Sequence, residues 1–198
     1  MPADGQPVTV WVPSAALVLG AASTAAAGIA SPPTAGLDLL SYGSPAPIGF
    51  DPARATRRFD YVIGRRPGLL DGRLGMWWTI NGGSYPDVPM YTVREGDVVI
   101  FQIVNNSGEV HPMHLHGHHA VVLRRNGVVA TGSPWWVDSL TVEAGDSYQL
   151  AFVADNPGIW VDHCHNLRHA QEGLVAHLAY EGVTTPFLAG DATGNHPE

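Results

Sequence analysis

The chain has 198 residues and a formal charge of −8, and all ten of its basic residues are arginine. An acidic, lysine-free chain whose only basic clusters are Arg57-Arg58, Arg65-Arg66 and Arg124-Arg125 excludes a nucleic-acid partner. The length suits one domain of ordinary size plus extensions, and the single cysteine rules out an internal disulfide.

Residues 1–36 open with Val8-Thr-Val-Trp-Val12 and Ala15-Ala-Leu-Val-Leu19, which read as two short strands. The stretch is alanine-rich and broken by Gly20 and Gly28, too weakly apolar for a membrane span. It makes an unconvincing signal peptide, because no Lys or Arg precedes Arg54 and Asp4 stands where positive charge belongs. A remnant of a preceding domain, or an N-terminal extension, is the preferred reading, with a signal peptide second. Residues 37–57 are rich in Pro, Gly, Ala and Ser and read as a linker.

The main domain is expected over residues 58–183. Its strand candidates are 59–63, 77–80, 97–104, 120–123, 140–142, 148–153, 158–165 and 174–179, rich in β-branched and aromatic residues. Turn dipeptides punctuate them: Asn81-Gly82, Glu95-Gly96, Asn126-Gly127 and Ala144-Gly145. Short strands at regular spacing predict an all-β sandwich or barrel. Leu167 to Gly173 reads as one helical turn, and residues 184–198 as a loosely ordered C-terminal tail. The pairs Trp77-Trp78 and Trp135-Trp136 are expected to be buried.

Two windows hold eight of the ten histidines. One is His111-Pro-Met-His114-Leu-His116-Gly-His118-His119; the other is His163-Cys164-His165-Asn-Leu-Arg-His169. Imidazole and thiolate suit copper, and two His with one Cys is the donor set of blue-copper electron transfer. Side chains alternate across a strand, so Cys164 faces one way while His163 and His165 face the other. His114 and His116 share a face, and His111 stands apart from them. The economical sorting is Cys164, His111 and His169 for one copper, with His114, His116, His163 and His165 for a separate cluster. The Cys–His link would join the two over a distance on the order of 10 Å.

These windows resemble the third and fourth copper motifs of multicopper oxidases, the laccase-like family, HPxHLHGH and HCHxxxHxxxG followed by Met, Leu or Phe. The similarity extends from Asn105 to Gly182 and takes in Trp136-Val-Asp-Ser-Leu and Phe152-Val-Ala-Asp-Asn-Pro-Gly-Ile-Trp160. The resemblance implies a C-terminal cupredoxin domain, a Greek-key β-sandwich. It implies that His111, Cys164 and His169 are type 1 copper ligands, His114 a type 2 ligand, and His116, His163 and His165 type 3 ligands. Leu174 falls on the axial, non-ligating position. The implied function is one-electron oxidation of a small reductant, with electrons passing through Cys164 to His163 and His165 and on to dioxygen at a trinuclear cluster. Export to the periplasm or outside the cell goes with the family.

The family surrounds that cluster with eight histidines in four pairs, whereas this chain offers two pairs and no histidine before His111. The missing half is expected from further cupredoxin domains of the same protein or from a partner subunit. A single-domain cupredoxin electron carrier is the alternative, but it leaves the histidines flanking Cys164 unexplained. A cysteine hydrolase is discounted because Cys164 ends a strand. A mononuclear cupin wants a glutamate where Ala120 and Val121 stand, and a copper nitrite reductase lacks the histidine after the cysteine. Four scattered methionines argue against a cuprous-ion site, leaving phenols and other small aromatics as the default reductant, with ferrous and manganous ions beside them. His118 is expected to support or pack against its neighbours rather than bind metal, and His177 and His196 to be ordinary. Asp138, Asp162 and Glu172 read as structural.

Overall fold

The computed structural model describes residues 8–12, 15–19, 36–70, 72–84 and 87–186. The chain divides into two units, Met1–Leu37 and Asp38–Glu198. In the first, β1 (Val8–Val12) and β2 (Ala15–Leu19) form an antiparallel hairpin with Val8 opposite Leu19, the two strands expected there.

The second unit is an all-β sandwich of two sheets. A 3-10 turn, Pro52–Arg54, is capped by the Asp51 carboxylate and leads into β3 (Arg57–Leu70), β4 (Arg73–Ile80), β5 (Met90–Val93) and β6 (Val98–Asn105). Then come β7 (His111–Leu115), β8 (Ala120–Arg125), β9 (Val128–Val129) and β10 (Trp136–Val137). The chain continues through β11 (Ser139–Val142), β12 (Ser147–Val153), β13 (Ile159–Cys164), α1 (Leu167–Gln171) and β14 (Val175–Tyr180). The larger sheet runs β10-β8-β12-β6-β3-β4 with β9 on β8, and the smaller runs β11-β7-β13-β14-β5. Both mix pairings: β3 lies parallel to β6 and β5 parallel to β14, while the other ladders are antiparallel.

Alternation decides which residues line the core. β5 and β11 bury every second side chain, and β7 buries His111, Met113 and Leu115 while Pro112 and His114 face outward. Tyr61, Trp78, Phe101, Phe152 and Leu178 fill the space between the sheets, each worth about 1.5–3 kcal/mol of burial. Asn126 and Gly127 both take positive φ, 50° and 79°, the mirror-image turn that joins β8 to β9.

The proline-rich segment that reads as a linker lies against this unit. Leu40 is buried, and its carbonyl accepts from the Thr131 and Gly132 N–H groups at 2.7 and 2.9 Å. Ile48 and Phe50 cover Ile100, Val121 and Ala151 on the outer side of the larger sheet. The tail expectation for residues 184–198 falls mostly outside the described residues. Trp136 departs from its expected burial, being 43 % exposed.

Gly117 ends the turn that follows His116. Its φ is +73°, and a Cβ there would lie 2.5 Å from the Trp160 indole. Gly117→Ala is therefore expected to destabilise the fold by about 2–4 kcal/mol, from left-handed strain and overpacking together. Urea unfolding should show it as a lower midpoint with an unchanged slope.

Candidate metal centre

The pairing of β7 with β13 builds the site. Cys164 lies opposite Met113 and His163 opposite His114, so the inward face of β13 meets the inward face of β7. The main chain then turns through Asn166 into α1, which returns His169 to the same interior point. Glycine and the next residue close the arrangement: Leu174 N–H donates to the His169 carbonyl at 2.9 Å, and Cys164 N–H to the Leu174 carbonyl at 3.3 Å.

On the inner side stand His111, Cys164 and His169, all three buried. Cys164 Sγ lies 3.7 Å from His111 Nδ1 and 3.9 Å from His169 Nδ1, and the two Nδ1 atoms are 3.1 Å apart. Bonds of roughly 2.0–2.3 Å from a first-row metal would place trigonal donors about 3.5–4 Å apart, so the triangle fits an ion with little adjustment. The outer ring nitrogens are engaged elsewhere. His111 Nε2 is 2.7 Å from Ser107 Oγ, and His169 Nε2 is 3.0 Å from the Asn166 amide nitrogen. The Ser107 hydroxyl donates to Asn105 and so accepts from His111 Nε2, which leaves the His111 Nδ1 lone pair to the triangle; a flip of the Asn166 amide, placing its oxygen at His169 Nε2, gives His169 the same tautomer. Burial supports the same state, holding His111 down to about 4 and lowering His169, while it raises the Cys164 thiol. The donor chemistry, two neutral imidazoles and one sulfur in a dry trigonal set, suits copper. Leu174 is fully buried beside it.

On the outer side of β13, four imidazoles gather. Ring centroids are 4.5 Å apart for His114 and His116, 4.8 Å for His114 and His165, and 5.1 Å for His116 and His163. His116 and His163 approach through their Nε2 atoms at 3.0 Å. His114 is held through Nδ1, by the Asp138 carbonyl at 3.1 Å and Ser139 Oγ at 2.9 Å, which leaves its Nε2 to the cluster. His163 is held the same way, its Nδ1 3.0 Å from the Cys164 carbonyl. His165 is exposed.

His111, Cys164 and His169 thus lie together on one side of β13, and His114, His116, His163 and His165 on the other. His118 is buried, with Nδ1 at the His116 carbonyl and Nε2 2.6 Å from the Tyr180 hydroxyl, a support for its neighbours. Sequence reading missed Ser107, Asn166 and Trp78 as partners of the imidazoles. The first two carry a legible signal in retrospect, being hydroxyl and amide groups within a few residues of a ligand-type histidine. Trp78 comes from the other sheet and carries none.

The sequence profile of the multicopper oxidase family matches residues 64–182. The chain belongs to the multicopper oxidase family. It is 34 % identical over 115 residues to the multicopper oxidase MmcO of Mycobacterium tuberculosis, covering 58 % of this chain and 22 % of that protein. It is 37 % identical over 102 residues to the iron transport multicopper oxidase fio1 of Schizosaccharomyces pombe, covering 46 % of this chain and 16 % of that one. Among solved structures, the multicopper oxidase mgLAC superposes with a TM-score of 0.60 at 25 % identity, over 73 % of this chain and 50 % of that one. The blue copper oxidase of Nitrosomonas europaea shares the fold with a TM-score of 0.60, over 69 % and 48 %. The chain therefore spans about a fifth of the length of these curated family members and about half of these two solved chains. Family membership implies copper binding.

Two buried groups near the centre give opposite pH dependences to the metal-free chain. Burial pushes Asp162 up to about 7, against the hydrogen bond that Tyr61 donates to it at 2.9 Å. The folded chain thus keeps a proton there that the unfolded chain loses near 3.8, and stability falls as pH rises between those values. His111 works the other way: unfolded it protonates near 6.5, folded only near 4, so stability falls as pH drops through that window. Asp162→Asn removes the first slope and keeps an acceptor for Tyr61. Chelator-treated Asp162→Asn should gain on the order of 2–4 kcal/mol over wild type at pH 7 and little at pH 4, read by denaturant unfolding at both.

Proposed function

We propose that the chain is the part of a multicopper oxidase that accepts electrons and contributes half of the oxygen-reducing cluster. In this reading His111, Cys164 and His169 would hold a type 1 copper, with the apolar side chain of Leu174 buried beside them. His114 supplies a type 2 ligand, and His116, His163 and His165 supply type 3 ligands. Copper bound at these positions supplies one-electron redox chemistry, through which a small reductant's electrons serve the reduction of dioxygen to water. The observation that carries the reading is the back-to-back placement of the two donor groups, joined through the Cys164 peptide bonds to His163 and His165.

The chain's own residues have distinct tasks. Burial keeps His111 and His169 neutral and available through Nδ1. Ser107 and the Asn166 amide fix the ring orientations from the outside. The Asp138 carbonyl and Ser139 hydroxyl do the same for His114. Burial holds the proton on the Cys164 thiol, and a metal held there would take its place. A simple electron carrier needs the inner group alone, and it gives no role to four imidazoles collected on the outer face.

Two pairs of histidines cannot enclose three metal ions. Further cupredoxin domains, in the same protein or in a partner subunit, would bring the remaining pairs to the exposed side of His114 and His165. Phenols and other small aromatics are the reductants proposed, with ferrous and manganous ions as the second class. The relatives include a protein named for iron transport and others named as laccases. Placement outside the cytoplasm is proposed with the family. No described helix is long and apolar enough to cross a membrane.

Copper-loaded wild-type chain should absorb intensely in the visible through thiolate-to-copper charge transfer, and Cys164→Ser should lose that band. A colourless, oxidised, loaded wild type refutes the inner site. Oxygen uptake with a phenolic reductant should stay at background for the chain alone and appear once domains with two further histidine pairs are supplied. Sustained uptake by the chain alone would instead require identical copies to share a cluster. Leu174→Met should lower the reduction potential of the inner site, because a thioether donor stabilises the oxidised ion and Leu cannot. A redox titration showing a rise or no change removes Leu174 from the axial position.

A further inference from the structure

The inner donor triangle draws on β7, β13 and α1, all at one side of the sandwich, yet its remaining wall comes from the opposite sheet. Trp78 of β4 is 1 % exposed. Its indole lies over the His169 ring at 4.3 Å and 35°, and meets the His111 ring edge-on at 4.7 Å. No other residue of the larger sheet has a ring stacked on these imidazoles among the described contacts. The indole thus forms a wall against both imidazole rings.

Two hydrogen bonds pin Trp78 to the helix that carries His169. Its backbone N–H donates to the Glu172 carbonyl at 3.2 Å, and its indole N–H donates to Glu172 Oε2 at 3.2 Å. Glu172 closes α1, three residues beyond His169, and Arg168 holds its other oxygen at 2.9 Å. The Arg65 guanidinium sits over the indole, 4.3 Å from the ring centroid. Arg65 in turn pairs with Glu109 at 2.9 Å, and Glu109 reaches to 3.7 Å from His169 Nε2. Trp78, Glu172, α1 and His169 therefore form a closed loop of contacts, with an arginine stacked over the indole.

We infer that Trp78 is a positioning residue, clamped by Glu172, that fixes His111 and His169 for metal binding. The inference rests on the copper reading of the inner triangle. It assigns no bond to the metal; Trp78 acts through the two imidazoles, limiting their rotation and excluding water from their faces. Partners of this kind that orient a ligand contribute about 10–100-fold in metal affinity.

The test uses the full chain loaded with cupric ion, as wild type, Trp78→Ala, Trp78→Phe, Glu172→Ala and Glu172→Gln, with Trp77→Phe as a control on the other face of β4. Each is checked for folding by circular dichroism, then read by its thiolate–copper absorption band and by copper loss to a competing chelator. Trp78→Ala and Glu172→Ala should shift the band and retain copper about 10–100-fold less well. Trp78→Phe, which restores a ring without the N–H, should fall between, and Glu172→Gln, whose amide oxygen accepts the same bond, should behave as wild type. Trp77→Phe should change neither reading. A wild-type band and retention in folded Trp78→Ala overturns the inference. Should Trp78→Ala not fold, the same result in both Trp78→Phe and Glu172→Ala overturns it. Wild-type behaviour of Glu172→Ala alone removes the clamp. A colourless loaded wild type would strike the underlying copper reading instead, so the two failures are told apart.

Discussion

The two-residue repeat of an extended strand is the constraint on which the site depends. Along β13, His163, Cys164 and His165 are covalent neighbours, and the pleat forces the sulfur into the core while the imidazoles look outward. Antiparallel pairing with β7 then matches sulfur to His111 and Met113 on the inside, and His163 to His114 on the outside. A one-residue slip of either strand would present the thiol to solvent and drive two imidazoles into the aromatic core. The apolar side chains of β7, Met113 and Leu115, fix the register against that slip. Packing and chemistry specify the same alignment.

Satisfying buried polar groups is the second requirement, and the loop before β7 meets it. Asn105 is fully buried, and its amide donates to the carbonyls of Glu109, Val142 and Glu143 at 2.7, 3.0 and 3.1 Å. Its oxygen takes the Ser107 N–H and hydroxyl, and the same hydroxyl meets His111 Nε2. One asparagine thus shapes the loop, ties it to the end of β11 and orients an imidazole through an intervening serine. Every buried side-chain polar atom among the described residues has a partner, so the cost of placing four histidines and a carboxyl in the interior is offset locally.

Much of this was legible in the sequence, for reasons that differ between parts. The long strands β6, β12 and β14 announce themselves by β-branched runs, and the Asn126-Gly127 turn by its dipeptide. The sorting of Cys164 from His163 and His165 needs only strand parity. By contrast, β7 hides within a histidine-rich motif of low strand propensity, with Pro112 in its middle; its pairing is set by tertiary context. The outer half of the β3–β4 hairpin, with Pro67, Gly68, Gly72 and Gly75, has the composition of a loop yet keeps its ladder to Leu70 opposite Arg73. Trp78 could be placed in a strand and expected to be buried, but nothing local says that it lands on two histidines. That contact joins positions 33 and 91 residues apart, and only the completed sandwich defines it.

The same long separations govern how the chain must come together. His111 and Cys164 lie 53 residues apart, and β5 finds its parallel neighbour β14 only after most of the domain has been made. Contacts this remote in sequence carry a loop-closure cost before they give any return, and they make folding slow. During that interval the lone thiol of Cys164, sealed from solvent in the finished structure, is open to oxidants and to other chains. With no second cysteine in these 198 residues, a disulfide formed there would tie Cys164 to a sulfur outside them and block β13 from taking its place. Closing the sandwich is thus also what protects the sulfur.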